Sequence, residues 1–99
     1  MQKINELHSI LLSRLFDQWR MDVVGSLLII PKENRYIIVA VEYLFKWQEA
    51  KAVSEANALS ISNFLYQNII CRFGCFTYLY TDRGIEFIND IVKRLIEKF

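Results

Sequence analysis

The sequence predicts an α/β fold built on a mixed β-sheet. Three apolar or half-apolar runs of strand length follow one another with short connections, a stripe of helical period comes next, and a fourth short run and a last helical stripe follow. Short connections join antiparallel neighbours, whereas a strand–helix–strand unit within one sheet pairs its strands in parallel. With 99 residues, 54% of them hydrophobic, and a formal net charge of +1, the chain is expected to form one ordered domain.

The distribution of apolar residues predicts the first segment and the first strand. Residues 1–15 are predicted to form a lead-in helix or a linker, because their apolar residues recur at helical spacing. Residues 23–30 are rich in β-branched residues and leucine and predict the first strand, which ends at Pro31. A strand that begins near Asp17 and runs through Asp22 is the alternative.

Two further strands complete the predicted antiparallel part of the sheet. Residues 36–41 form an apolar run without alternation, which predicts a strand buried on both faces. Residues 45–52 mix aromatic and charged residues and predict a half-exposed strand.

The second half of the chain predicts a helix, a strand and a helix. Ser54 is the candidate N-cap of a helix whose apolar stripe runs from residue 58 to residue 73 and which Gly74 ends. Residues 76–81 predict a short strand. A last helix follows from apolar residues at helical spacing: Phe87, Ile91, Leu95 and Phe99.

Several chemistries are excluded by the residues that the chain lacks. His8 is its one histidine, so a zinc site of histidines and cysteines or a nucleophilic triad is not expected. Three glycines far apart in the chain cannot form a phosphate-binding loop. Cys71 and Cys75 have the spacing of neither a redox nor a zinc motif and are expected to be free thiols.

Carboxylates are the remaining candidates for chemistry. Asp22 adjoins the first predicted strand, and Asp82 follows the last one. If the two strands are parallel neighbours, the side chains come close only if Asp22 lies within its strand. The alternative is that Asp22 is a polar residue at a strand end and Asp82 a turn residue.

Blocks of sequence resemble the catalytic core of retroviral-type integrases, in particular those of gypsy-like retrotransposons with long terminal repeats. The blocks occur in the family's order: WRMDVVGSL at 19–27, RYIIVAVEY at 35–43, KWQEA at 46–50, RFG at 72–74 and TDRGIEFI at 81–88. The resemblance covers residues 16–99, which are therefore expected to be a partial integrase catalytic core.

This resemblance implies an RNase H-like mixed sheet with three antiparallel strands, a crossover helix, a fourth parallel strand and a helix. It also implies that Asp22 and Asp82 are catalytic residues and ligands of Mg²⁺ or Mn²⁺ in a phosphoryl-transfer reaction. The family trims the DNA ends of its element and joins them to target DNA. Arg83, next to Asp82, is the candidate contact to a DNA phosphate.

The family's third acidic ligand is a glutamate that would lie beyond residue 99. We therefore expect a truncated, incomplete core with weakened metal binding, inactive by itself. Glu86 matches a different family position and is interpreted as a charge at a helix N-terminus. Ile85, which replaces a small hydroxyl residue of the family, leaves the N-cap of the last helix in question.

Two functional hypotheses follow. The first is an integrase core fragment with DNA as its partner. The second is a non-catalytic nucleic-acid-binding or protein-interaction module derived from an integrase. The strand at 76–81 would be an open sheet edge in either case, so self-association or association with other integrase copies is expected. No membrane partner is expected, and the location would be nuclear or cytoplasmic.

Overall fold

A mixed four-stranded sheet with the order β3-β2-β1-β4 forms the framework of the computed structural model, which describes residues 14–25 and 35–98. Its strands are β1 (Gln18–Val24), β2 (Tyr36–Glu42), β3 (Gln48–Val53) and β4 (Tyr78–Tyr80). β1 pairs antiparallel with β2, and β2 pairs antiparallel with β3. β4 pairs parallel with β1, as the strand–helix–strand order predicted. The α/β class and the mixed sheet are thus confirmed.

β1 begins earlier than its apolar composition predicted. It covers Gln18–Val24, with Trp19 and Met21 fully buried and the residues between them exposed. This alternation is typical of a strand with one face in the core. The prediction of a strand that starts at residue 23 was therefore wrong, and the alternative that runs through Asp22 is confirmed. Residues 26–30 of that prediction lie outside the described residues.

β2 covers Tyr36–Glu42, close to its predicted bounds, but only one of its faces is fully buried. Ile38, Ala40 and Glu42 are buried, and the residues between them are partly exposed. The prediction of burial on both faces was wrong, because the described helices pack on one face of the sheet. An apolar run can therefore belong to a sheet with one open face.

β3 begins at Gln48, three residues later than predicted. Residues 43–45 form a turn instead, held by the carboxylate of Glu42. The two carboxylate oxygens of Glu42 accept hydrogen bonds from the backbone N–H groups of Leu44 and Phe45 at 2.6 and 2.7 Å. A tight turn thus replaces the predicted first residues of the strand.

The crossover helix consists of three parts. They are α1 (Ala58–Phe64), a π-helical segment (Leu65–Ile70) and α2 (Cys71–Phe73). Asn57, not Ser54, is the N-cap: its side chain accepts the backbone N–H of Ser60 at 2.9 Å, and the Ser60 hydroxyl accepts the backbone N–H of Asn57. This reciprocal capping box fixes the start of the helix three residues later than predicted.

Gly74 ends the crossover helix, as predicted. Its φ of 94° lies in a region that residues with a side chain rarely adopt, and its N–H donates to the carbonyl of Ile70 at 2.9 Å. β4 follows, with only three residues where 76–81 was predicted.

The last helix, α3 (Ile85–Glu97), was predicted from its apolar period. Gly84 is its N-cap and offers no capping side chain, which bears out the doubt about this helix start. Phe99 lies outside the described residues. α3 packs on α1, and both helices share one core with the buried residues of β1 and β2, so they cover the same face of the sheet.

The core lies between that face and the helices. Its buried members include Trp19, Met21, Ile38, Ala40, Ile61, Phe64, Leu65, Ile69, Ile91 and Leu95. Cys71 and Cys75 are free and exposed, as predicted. Residues 1–13 of the predicted lead-in segment lie outside the described residues. Within the described ranges, no helix combines the length and hydropathy needed to cross a membrane.

Candidate metal and nucleic-acid site

Asp22 lies within β1, on the face of the sheet opposite the described helices. Its neighbours Met21 and Val23 point to the core face, and its own side chain is 52% exposed. Arg20, on the same face, approaches the Asp22 carboxylate at 3.7 Å between Nε and Oδ2. The carboxylate is therefore in water and beside one cation, so the energetic cost of burying a charge does not arise.

Asp82 follows the end of β4, next to β1. The parallel register pairs Gln18 with Tyr78 and Arg20 with Tyr80. Asp22 and Asp82 each lie two residues beyond the pair formed by Arg20 and Tyr80, in the same direction along the two strands. The parallel pairing thus places β1, which holds Asp22, next to the strand that Asp82 follows, and Asp82 is also exposed.

Two exposed carboxylates on neighbouring stretches of chain are donors of the type that a hard divalent cation prefers. Mg²⁺ is commonly held by one or two carboxylates and keeps several water ligands. The chemistry of Asp22 and Asp82 is therefore compatible with one Mg²⁺ or Mn²⁺ whose shell is completed by water. Among the residues that the structure describes, no group of three His, Cys, Asp or Glu side chains could hold a metal.

Arg83 stands beside this pair, in the loop between β4 and α3. Its guanidinium lies over the ring of Phe87 at 5.3 Å from the centroid, and its backbone N–H donates to the hydroxyl of Thr81 at 3.3 Å. The described side chains include no carboxylate in an ion pair with Arg83. The Arg83 guanidinium is half-buried against the Phe87 ring, and its N–H donors remain available to an anion such as a phosphate.

Two of the family-like blocks meet in a cluster on the core side of the sheet. The Glu49 carboxylate, 8% exposed, accepts from Arg72 at 2.6 Å and from the Trp47 indole N–H at 2.6 Å. Phe73 stacks on Phe16 with ring centroids 4.3 Å apart. These residues join β3 to the end of the crossover helix.

The pKa of Tyr66 is raised by a neighbouring thiol. The Cys71 thiol, through a hydrogen bond and through charge repulsion between the ionised forms, raises the pKa of Tyr66 above its ordinary value of 10.0. Tyr66 lies on the crossover helix, whereas Asp22 and Asp82 lie at the parallel strand pair. Tyr66 therefore does not act as an acid or a base in the candidate site.

A cavity of about 640 Å³ lies elsewhere, at the start of β2 and the loop before α1. It is lined by Arg35, Tyr36, Ser54, Glu55, Ala56 and Asn57. Its single carboxylate, Glu55, accepts from the side chain of Asn57, so this cavity does not have the paired carboxylates of a metal site.

Sequence reasoning assigned no site to Arg20, Tyr43, Lys46 and Tyr80, which line a smaller cavity where the turn after β2 meets β1 and β4. The alternation of polar and apolar residues from Gln18 to Asp22 is a signal that could have identified Arg20 as a residue of the open face. No known protein family matches the sequence, and no curated protein matches it either.

Proposed function

We propose that residues 16–99 are part of an integrase-like catalytic core, a polynucleotidyl transferase fold that acts on DNA ends. The supporting observation is the parallel pairing of β1 with β4, since Asp22 lies in β1 and Asp82 follows the end of β4. The RNase H-like topology belongs to this proposal, as do the family-like sequence blocks. DNA, both the element ends and the target, is the proposed partner.

In this proposal Asp22 and Asp82 hold one Mg²⁺ or Mn²⁺ between them. When bound, such a cation supplies Lewis acidity for phosphoryl transfer. Both carboxylates are exposed, so they can reorient around the cation and a substrate phosphate. Arg83 binds a neighbouring phosphate of the DNA backbone through its guanidinium. Because no third His, Cys, Asp or Glu among the described residues joins Asp22 and Asp82 in a metal-binding group, we expect this chain by itself to have at most a low activity.

The test is binding of Mn²⁺, measured by calorimetry or by the loss of the free-ion electron paramagnetic resonance signal. Asp22→Asn and Asp82→Asn should each weaken Mn²⁺ binding at least about ten-fold, because each removes one of two anionic ligands. Asp90→Asn is the matched control, since Asp90 is an exposed carboxylate on α3. Equal Mn²⁺ affinity of all three variants and the parent chain would contradict the proposal.

DNA binding has its own measurement. Affinity for DNA should fall with rising salt concentration, and Arg83→Gln should make the slope shallower by about one unit if Arg83 contacts one phosphate. Within the cell this role implies a nuclear or cytoplasmic location. An affinity for DNA that does not change with salt concentration would favour the second candidate function.

The second candidate is a non-catalytic interaction module that binds another copy of such a core. Its supporting observations are the open edge of the sheet at β4, with Tyr78 and Tyr80 about half exposed, and exposed apolar residues on α3. Light scattering over a concentration series tests it: a mass that rises with concentration is expected, and a constant monomer mass would contradict it.

A further inference from the structure

A cavity of about 350 Å³ opens where the turn after β2 meets β1 and β4. It is lined by Trp19, Arg20, Val41, Glu42, Tyr43, Lys46 and Tyr80. Its size lies at the lower end of the range of about 300–1,000 Å³ for small-molecule sites. Two cations and two phenol rings in one small cavity suggest a ligand that is both anionic and aromatic.

The turn after β2 holds one side of this cavity in place. Glu42 is fully buried, and its two carboxylate oxygens are taken by the backbone N–H groups of Leu44 and Phe45. The backbone N–H of Tyr43 donates to the carbonyl of Gln18 at 3.0 Å, which ties the turn to β1. Since its oxygens are occupied, Glu42 acts as part of the turn and does not present a free anion to the cavity.

Lys46 ends this turn in a strained backbone conformation. Its φ of 61° is rare for a residue with a side chain and persists only where the surroundings impose it. Here Glu42 and the start of β3 impose it, and the Lys46 ammonium lies 4.8 Å from the centroid of the Tyr43 ring. The turn thus presents a cation and an aromatic ring together.

The opposite side of the cavity is formed by the parallel strand pair. Arg20 is in register with Tyr80, and its side chain is 71% exposed. The rings of Tyr78 and Tyr80 are stacked, with centroids 6.4 Å apart and planes inclined by 13°. A guanidinium has five N–H donors, so the approach of Arg20 Nε to Asp22 leaves donors for a phosphate.

We propose that this cavity binds one unpaired nucleotide of single-stranded DNA. The base stacks on Tyr80 and extends the Tyr78–Tyr80 stack, while Arg20 and Lys46 bind the adjoining phosphates. Proteins that bind single strands combine aromatic stacking surfaces with cations along the backbone in this way. Duplex DNA keeps its bases stacked inside the helix and cannot use the aromatic surface.

The position of the cavity deepens the proposed function and rests on it for the choice of DNA as ligand. Arg20 lies two residues before Asp22 on β1, and Tyr80, the last residue of β4, lies two residues before Asp82. The cavity would thus position a frayed DNA end relative to the metal site.

The test measures binding of a fluorescent oligothymidylate to the full chain by anisotropy, in buffer with EDTA. Tyr80→Leu should weaken binding about five-fold or more, because the stacking surface is lost, and Tyr80→Phe should restore it. Lys46→Gln should lower the salt slope by about one unit. Phe45→Leu and Lys51→Gln are the matched controls, since both parent side chains are exposed and neither lines the cavity.

Two results would overturn this inference. One is a Tyr80→Leu affinity equal to that of the folded Phe45→Leu control. The other is a duplex of the same length that binds as tightly as the single strand. Circular dichroism checks that each variant is folded, and Tyr80→Phe separates loss of stacking from loss of structure.

Different results would contradict the proposed metal site and the proposed nucleotide cavity. If Mn²⁺ binding is insensitive to Asp22 and Asp82 while oligothymidylate binding depends on Tyr80, the nucleotide cavity stands and the metal site does not. If Mn²⁺ binding requires both aspartates while Tyr80→Leu leaves oligothymidylate binding unchanged, the metal site stands and the cavity does not.

Discussion

The two faces of the sheet take chemically opposite residues from the same strand, β1. On the helix-covered face of β1, Trp19 and Met21 are fully buried. On the uncovered face, Arg20 and Asp22 are 71% and 52% exposed. Because successive residues of a strand point to opposite faces, one short segment supplies both the core and the candidate site.

The difference between the faces shows where charge is tolerated. On the covered face, each buried carboxylate is fully engaged: Glu49 by Arg72 and Trp47, and Glu42 by two backbone N–H groups. On the uncovered face, Asp22 has only a loose contact with Arg20 at 3.7 Å. Carboxylates of the covered face therefore serve stability, and those of the uncovered face remain available for ligands.

The largest expected effect is on the covered face. Trp19→Ala should lower the free energy of unfolding by about 3–5 kcal/mol, because it removes a large buried side chain and leaves a cavity. It also removes the hydrogen bond from the Trp19 indole to the carbonyl of Phe16. Urea denaturation followed by circular dichroism measures the change.

Val24→Ala is the control for this prediction. Val24 belongs to the same strand, is 50% exposed and lies on the uncovered face. Its truncation should cost less than about 1 kcal/mol. Similar losses for Trp19→Ala and Val24→Ala would show that the two faces do not differ as described.

An intermediate effect is expected for the buried carboxylate. Arg72→Ala should cost about 1–2 kcal/mol, because Glu49 keeps only Trp47 as a side-chain partner. The cost should stay below that of a fully buried ion pair, since half of the Arg72 side chain is in water. The double variant Arg72→Ala with Glu49→Gln should recover part of the loss in the same denaturation assay; no recovery would mean that Arg72 acts only through packing.

The smallest effect is expected on the uncovered face. Arg20→Ala should change the free energy of unfolding by less than about 0.5 kcal/mol, because an exposed pair at 3.7 Å contributes little. The same substitution should weaken oligothymidylate binding, which separates ligand binding from stability. A loss as large as that of Arg72→Ala would contradict the distinction between the faces.

The sequence predicted the type of each described element more reliably than its bounds. The helical stripe of α3 and the role of Gly74 followed from local spacing and from backbone freedom, and both are confirmed. The start of β1 was misplaced because Arg20 and Asp22 interrupt its apolar residues, although strands with one open face require such residues. Ser54 was chosen over Asn57 as N-cap, although Asn57 has Ser60 three residues later to complete a capping box.

The candidate site was only half visible in the sequence. Asp22 and Asp82 were selected as the acidic residues next to strands, and whether they could approach one another depended on where β1 begins. Arg20, Lys46 and Tyr80 carry no motif by themselves. They meet because β4 pairs with β1 and the Glu42 turn returns to the same place.

By itself, then, the sequence determined the α/β class and the parallel partner required by the crossover helix. These properties depend on spacing, residue type and chain connectivity, which are local or topological. Only the tertiary structure decided which face of each strand is covered, that Glu42 and Glu49 are buried and hydrogen-bonded, and that cations and tyrosines line a cavity where the turn after β2 meets β1 and β4. The physical reason is that burial and register depend on contacts between residues far apart in the chain, and no local pattern records those contacts.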